Sequence, residues 1–235
     1  MTQKSVAVVG GGNGARAFAG HLSLKGTPVR LLSSFPAELE AIKQAGAITV
    51  AGTIEGQGKV QVFGDDFAAI SDTNLILVVV PAFAHASIAR ALAPYLRDGQ
   101  IVILNPGRTG GALEFSQVLK EENCQVRVRI AETQTLLYAC RSEGSTGVRI
   151  NSIKKEVAVA AFPAMETQTI LNELNKYFPQ FKAVPSVLHT DLMNIGAVFH
   201  PTTVLLNAGR IESGEDFEFY RDGMTPAVIS VLERV

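Results

Sequence analysis

The first residues whose types and spacing could do chemistry form a glycine-rich turn near the amino terminus. Gly10, Gly12 and Ala15 fit the pattern G-x-G-x-x-A directly after a short β-branched run. The first glycine permits a tight turn, the second lets the backbone approach a pyrophosphate, and the small third residue lets the helix pack on the strand. Backbone amides at the helix start, including those of Asn13 and Gly14, could then bind the anion. The pattern predicts a dinucleotide site, and a purely structural turn is the alternative.

The residues after the second predicted strand bear on the choice between NAD and NADP. An Asp or Glu about 20 residues beyond the glycines would bind the ribose 2′-hydroxyl and repel a 2′-phosphate. This chain has Ser33 and Ser34 there, and its first acid, Glu38, already lies in the next helix. Hydroxyls can bind a phosphate, and Arg30 is near. We therefore expect NADP to be preferred over NAD, unless the two serines form only a turn and a helix N-cap.

Further candidates follow predicted strands, because ligands of open α/β sheets bind at the carboxyl ends of the strands. Pro81 follows one aliphatic run and is expected beside the cofactor. Arg108 lies in the glycine-rich segment NPGRTG after the next strand, and its planar guanidinium could bind a carboxylate. Thr133 and Thr135 follow a third strand and are expected to face the substrate. The alternative for Arg108 is an exposed turn residue.

A histidine is the natural side chain for proton transfer near neutral pH. His200 lies in an apolar helical segment directly before Pro201, and from the residues alone a buried packing histidine remains the alternative. Asn194 is a candidate polar residue of the same site, and His85, after a strand end, is a weaker candidate. Packing, surface or helix-start roles are expected for His21, His189 and Asn207.

Composition excludes several classes of function. The chain has 235 residues, 47% of them hydrophobic and 18% charged, which is ample for a buried core. A net charge of -1 leaves no basic excess for nucleic acid. The apolar run 74–84 is about half of a membrane span, and we see no secretory signal, so we expect a cytoplasmic protein without a membrane partner. Two cysteines and the acidic run 215–218 lack metal-ligand spacing, so we predict no metal.

Hydrophobic periodicity predicts a doubly wound, Rossmann-type parallel α/β sheet followed by the start of an all-helical second domain. We place the dinucleotide-binding domain at residues 1–185. Residues 186–235 would begin a helical substrate or dimerisation domain, through which a homodimer could form. The predicted strands cover residues 5–9, 28–32, 48–53, 59–63, 75–80, 100–104 and 126–130, with further strands within 149–161.

Four segments, 10–22, 104–115, 131–141 and 194–212, together resemble the octopine and nopaline dehydrogenase family. The similarity runs through nearly the whole chain, and the last segment is the specific one. The resemblance implies an opine dehydrogenase, an oxidoreductase that uses NADH or NADPH to join an α-keto acid to the amino group of an amino acid by reducing an imine. It also implies that His200 is the catalytic histidine.

Two other functions stay open. A dehydrogenase of the glycerol-phosphate or β-hydroxyacid type commonly uses a lysine in its second domain, and no lysine follows Lys182. A non-catalytic nucleotide-binding module is the other alternative. The apolar helical spacing from Val228 continues to Val235 without a cap. Since family members continue with more helices, we expect this chain to be an amino-terminal fragment with little activity by itself.

Overall fold

A computed structural model describes residues 5–193 and 195–234 of the chain. These residues form two compact units, one that ends at Leu192 and one that begins at Met193. The strands are β1 (Val6–Val9), β2 (Val29–Leu32), β3 (Ala47–Gly52), β4 (Gly56–Lys59), β5 (Gln61–Gly64), β6 (Leu75–Val78), β7 (Ile101–Leu104), β8 (Arg129–Thr133), β9 (Tyr138–Glu143), β10 (Gly147–Ile153), β11 (Val157–Phe162) and β12 (Phe181–Ala183). The helices are α1 (Asn13–Leu24), α2 (Glu40–Ala45), α3 (His85–Leu92), α4 (Gly111–Glu121), α5 (Thr167–Leu174), α6 (Val187–Leu192), α7 (Gly196–Leu206), α8 (Ala208–Glu212) and α9 (Pro226–Leu232), with 3-10 turns at Pro36–Leu39, Phe67–Ile70, Ala82–Ala84, Ala93–Tyr95 and Ala164–Glu166.

The larger sheet has eight strands in the order β12-β11-β8-β7-β6-β1-β2-β5. All neighbouring strands run parallel except β11, which is antiparallel to β8. The central strands β1, β6 and β7 are buried along their whole length. Their near-continuous aliphatic sequences suit strands that are covered on both faces, and buried apolar clusters lie on either side. The predicted doubly wound class is confirmed.

The carboxyl ends of four strands meet at one edge of this sheet. Val9 pairs with Val78, Val78 with Leu104, and Leu104 with Glu132. The residues that follow these strand ends are therefore neighbours in space although they are distant in sequence. This edge includes the glycine turn.

A second, four-stranded sheet has the order β4-β3-β10-β9 and packs against α1. Gly20 of α1 makes the close approach possible, because a Cβ there would lie 2.5 Å from the Val50 side chain. The sequence predicted two strands here, at residues 48–53 and 59–63, which we expected to pair as a hairpin; this was only partly right. Strands β3 and β4 do pair, but the chain turns at buried Val60 and β5 joins β2 in the larger sheet.

The compact units divide later than the predicted boundary at residue 185. Helix α6 packs against β8 and β11 of the larger sheet, which places it with the first unit. From Met193 onward, the regular structure of the described residues is helical. Asn207 has the packing role expected for it, since its side-chain amide donates to the carbonyls of Thr203 and Gly223.

Candidate active site

The glycine turn leaves an open space at the start of α1. Gly10 has a φ of 139°, and a Cβ there would clash with the Val79 carbonyl, so only glycine fits. A Cβ on Gly12 would meet no atom within 4 Å. The turn is therefore tightly packed against Val79 at Gly10, whereas the space next to Gly12 is open. The backbone amides of α1 begin beside this open space. This shape suits a pyrophosphate.

A cavity of about 570 Å³ opens beside this turn. Its volume lies within the range of small-molecule sites, which is roughly 300 to 1,000 Å³. The structure brings five predicted cofactor residues together here: Gly10, Gly12, Ser33, Ser34 and Pro81. The other lining residues are Gly11, Phe35, Glu38, Val79, Val80, Phe83, Ala84, Ser87 and Ile88.

The other predicted cofactor residues support the turn. The Asn13 side chain accepts hydrogen bonds from the Ser142 amide, at 2.8 Å, and from the Ser142 hydroxyl, at 2.6 Å. Its side-chain oxygen is thus held by β9, and its backbone amide lies at the start of α1. Gly14 approaches Leu136 closely, and Ala15 is fully buried behind Gly10.

The polar groups expected to bind a 2′-phosphate are largely engaged elsewhere. Ser33 is buried, and its hydroxyl accepts a hydrogen bond from the Phe35 amide at 3.1 Å. The Arg30 guanidinium donates to the Ala69 carbonyl and lies 3.6 Å from Asp72. Ser34 is exposed at the cavity wall.

The predicted substrate residues lie at the next two strand ends. Arg108 is half-buried in a left-handed backbone conformation, with a φ of 59°. Thr133 is fully buried, and its hydroxyl lies 3.1 Å from Asn105 Oδ1 and 3.0 Å from the Thr135 carbonyl. Thr133 therefore braces the strand ends, whereas the half-buried Thr135 is the more accessible of the two.

Sequence reasoning missed Lys154, which joins this group. Its ammonium donates to the Thr135 hydroxyl at 2.7 Å. Burial lowers the pKa of Lys154, and the nearby positive charge of Arg108 lowers it further. Two half-buried cations beside a hydroxyl form a place for an anion, such as a carboxylate. No spacing rule links a lysine to a threonine 19 residues earlier.

Beneath these strand ends lies a buried acid. Glu132 is fully buried, and it accepts hydrogen bonds from the Ala112 amide, at 2.8 Å, and from the Thr190 hydroxyl. Burial raises its pKa to about 8, an effect to which the neighbouring Asp191 adds. His85 is also fully buried, with its pKa lowered to about 4 by burial, and it packs against Gly111. Both groups are inaccessible to a ligand.

The second unit carries His200, exposed on α7. Its Nε2 atom lies 2.6 Å from the Tyr220 hydroxyl, and the edge of the Phe219 ring packs beside it. Sequence reasoning did not predict Tyr220. Within residues 195–234, no carboxylate forms an ion pair with His200. Asn194, the other residue predicted here, lies outside the described residues.

The described part of the chain has neither a membrane-spanning helix nor a cluster of metal-binding side chains. No helix in residues 5–193 and 195–234 combines the length and apolarity that a bilayer span requires. The same residues contain no cluster of three or more His, Cys, Asp or Glu placed to hold a metal ion.

Comparison with known proteins places this geometry in a family. Residues 183–235 match the family described as NAD/NADP octopine/nopaline dehydrogenase, alpha-helical domain. The opine dehydrogenase of Arthrobacter sp. (strain 1C) is 44% identical over 237 residues, which cover 100% of this chain and 66% of that protein. The chain belongs to the octopine and nopaline dehydrogenase family.

Other members of this family are more distant. Octopine dehydrogenase of Mizuhopecten yessoensis is 32% identical over 86% of this chain and 53% of its own length. A solved structure of octopine dehydrogenase with NADH and pyruvate is 25% identical, with a TM-score of 0.73, over 92% of this chain and 58% of its own. The chain thus spans between half and two thirds of the length of these octopine dehydrogenase relatives.

The amino-terminal and carboxyl-terminal parts of the chain match different family descriptions. Residues 5–131 also match the amino-terminal domain of NAD-dependent glycerol-3-phosphate dehydrogenase. This domain is therefore common to more than one dehydrogenase family. The segment that begins at residue 183 is the part that matches the octopine and nopaline enzymes.

Proposed function

We propose that this chain is the cofactor-binding domain and the beginning of the helical domain of an opine dehydrogenase. Such an enzyme condenses an α-keto acid with the amino group of an amino acid, releasing water, and reduces the resulting imine to a secondary amine. The 44% identity to an opine dehydrogenase over the whole chain carries this proposal. The glycine-turn cavity supports it independently, because it provides the nucleotide site that the reduction needs.

The cofactor would be NADH or NADPH, held by the glycine turn, Ser34 and Pro81. When bound, it supplies the hydride that reduces the imine carbon. Gly10 fixes the shape of the turn, and the open front of Gly12 leaves room for the pyrophosphate at the start of α1. The protein's task at this cavity is binding and orientation.

The substrates are carboxylates, and Arg108, Thr135 and Lys154 would bind one of these groups. A guanidinium and an ammonium can both donate charge-assisted hydrogen bonds to the same carboxylate. Asn194 is proposed as a further substrate residue because it lies six residues before His200 in the sequence. Thr133 acts indirectly in this scheme, since its hydroxyl braces Asn105 and Thr135.

His200 would hold the proton that accompanies the hydride. The imine nitrogen must gain a proton as the carbon is reduced, and imidazole can deliver one near neutral pH. The Tyr220 hydroxyl lies within hydrogen-bond distance of Nε2, which fixes the ring orientation. Dimerisation through the helical domain remains a prediction of this proposal.

The test uses the full-length protein with NADH or NADPH, pyruvate and a panel of amino acids. We expect cofactor oxidation with formation of the secondary amine, identified by mass spectrometry. His200→Asn should lower turnover by roughly 10²- to 10⁴-fold, as for a positioned acid-base group, while cofactor affinity stays nearly unchanged. His189→Asn, an exposed histidine bonded to Ser186, is the matched control and should have no effect.

Two outcomes would contradict the proposal. One is a lack of cofactor oxidation with any pair of keto acid and amino acid. The other is an unaltered rate in His200→Asn. Reduction of dihydroxyacetone phosphate instead would favour a glycerol-phosphate dehydrogenase, the alternative suggested by the match of the first domain.

A further inference from the structure

The cofactor cavity contains an acidic side chain that the glycine pattern does not include. Glu38 lies in the 3-10 turn that follows β2, and it lines the cavity with Gly11 and Ser34. A Cβ on Gly11 would lie 3.0 Å from the Glu38 Cβ and would clash with its carboxylate. The carboxylate of Glu38 therefore rests directly on the glycine turn.

The backbone that carries Glu38 is held against the glycine turn. Arg16 donates from Nε to the Gly11 carbonyl, at 2.9 Å, and from Nη2 to the Glu38 carbonyl, at 3.3 Å. The guanidinium thus ties the 3-10 turn to the glycine turn. Leu39, the next residue, is fully buried and anchors the same turn in the core.

The charge balance in this part of the cavity is set by two groups. Burial lowers the pKa of Arg16, and the negative charge of Glu38 opposes that shift, which agrees with their proximity. Arg16 donates three hydrogen bonds to backbone carbonyls, those of Gly11, Glu38 and Gly144. The other basic residue considered for this site, Arg30, bonds to Ala69 and Asp72, and neither of these lines the cavity.

A carboxylate and a 2′-phosphate are poorly compatible at this place. A carboxylate accepts a hydrogen bond from a ribose hydroxyl, and that bond is stronger than one between neutral groups. A 2′-phosphate carries close to two negative charges, which the carboxylate repels. The hydroxyls of Ser33 and Ser34 do not offset this repulsion, because they carry no positive charge and Ser33 is buried.

We propose that Glu38 selects NADH against NADPH by accepting a hydrogen bond from the adenosine ribose and repelling a 2′-phosphate. This preference is the reverse of the one that Ser33 and Ser34 predict from the sequence. The proposal rests on the dinucleotide binding put forward above. It assigns the selection to a residue beyond the end of β2, in the turn that Arg16 holds against Gly11.

The experiment is a fluorescence titration of the full-length protein with NADH and with NADPH, which requires no turnover. The wild type should bind NADH about tenfold more tightly or better. Glu38→Gln should lower this ratio by about tenfold, mainly by tightening NADPH binding, because the amide removes the repulsion. Glu40→Gln, an exposed neighbour bonded to Gln44, is the matched control and should leave the ratio unchanged.

Equal affinities in the wild type, or tighter binding of NADPH, would overturn the proposal. So would a Glu38→Gln ratio equal to that of the wild type. Glu38→Lys provides a second test, since a positive charge should make NADPH the tighter ligand. Binding of neither nucleotide would overturn the proposed function as well, whereas binding without opine formation would overturn only the latter.

Discussion

Replacement of Glu132 by glutamine should change how the stability of the protein depends on pH. Glu132 is fully buried between α4 and α6, where the Ala112 amide and the Thr190 hydroxyl donate to its two oxygens. Burial raises its pKa to about 8 from an ordinary value of 4.5. Glutamine has nearly the same shape and keeps an acceptor for the Ala112 amide, but it cannot ionise.

The sign and size of the change in the free energy of unfolding follow from how many protons the folded and unfolded states bind. Between these two pKa values the folded protein keeps the Glu132 proton and the unfolded chain releases it. The stability associated with this proton is complete below pH 4.5 and is lost as the pH rises towards 8. The loss is about 1.4 kcal/mol per pH unit, or about 3 kcal/mol between pH 5.5 and 7.5.

The assay is urea unfolding of the wild type and of Glu132→Gln at pH 5.5 and 7.5. The free energy of unfolding of the variant, relative to wild type, should rise by about 3 kcal/mol over that interval. Contributions of the histidines are common to both proteins and cancel in the difference. Glu121→Gln, an exposed carboxylate on α4, should show no such change. Parallel pH profiles for wild type and Glu132→Gln would refute the reasoning.

Two further predictions concern buried groups and the glycine turn. Burial holds the pKa of His21 at about 4, so acidification from pH 6.5 to 4.5 should lower the free energy of unfolding by up to about 3 kcal/mol. His21→Gln can still form a hydrogen bond to Tyr138, and in urea unfolding it should reduce this dependence of the free energy of unfolding on pH. An unchanged slope would exclude His21 as the source of the acid destabilisation. Gly10→Ala should destabilise the fold by about 1 to 3 kcal/mol in thermal unfolding and weaken NADH binding, because the added Cβ meets the Val79 carbonyl. Gly99→Ala also has a positive φ but open space around it, so it should keep normal NADH affinity, and equal affinity losses in the two variants would contradict this account.

The larger sheet could be predicted from the sequence because each of its strands and turns is indicated by a short, continuous run of residues. Aliphatic runs that are buried on both faces gave β6 and β7 to within two residues, and the glycine pattern located the start of α1. The strand predicted at 126–130 begins only at Arg129. Val126 and Val128 pack against the core without joining the ladder, and an apolar residue looks the same in either setting.

The second sheet and several site contacts could not be predicted, because periodicity does not say which segments pair. Strand β9 alternates between buried and exposed residues only over its first half, which gives a weak signal. The contact between Lys154 and Thr135 and that between His200 and Tyr220 depend on the paths of intervening loops. Glu38 was visible as the first acid after β2, but its position against Gly11 depends on how Arg16 closes the turn.

The four-stranded sheet sets the distance between the start of α1 and the pair formed by Thr135 and Lys154. Strand β9 holds Asn13 at the start of α1 through Ser142, and the segment that leads into β9 carries Thr135. Lys154 follows directly after β10, the neighbour of β9 in the ladder. The separation of the cationic group from the glycine turn is therefore set by the β9–β10 pair. We expect substitutions at the end where Tyr138 faces Ile153, away from Ser142, to shift Thr135 and Lys154 while the contact between Ser142 and Asn13 is kept.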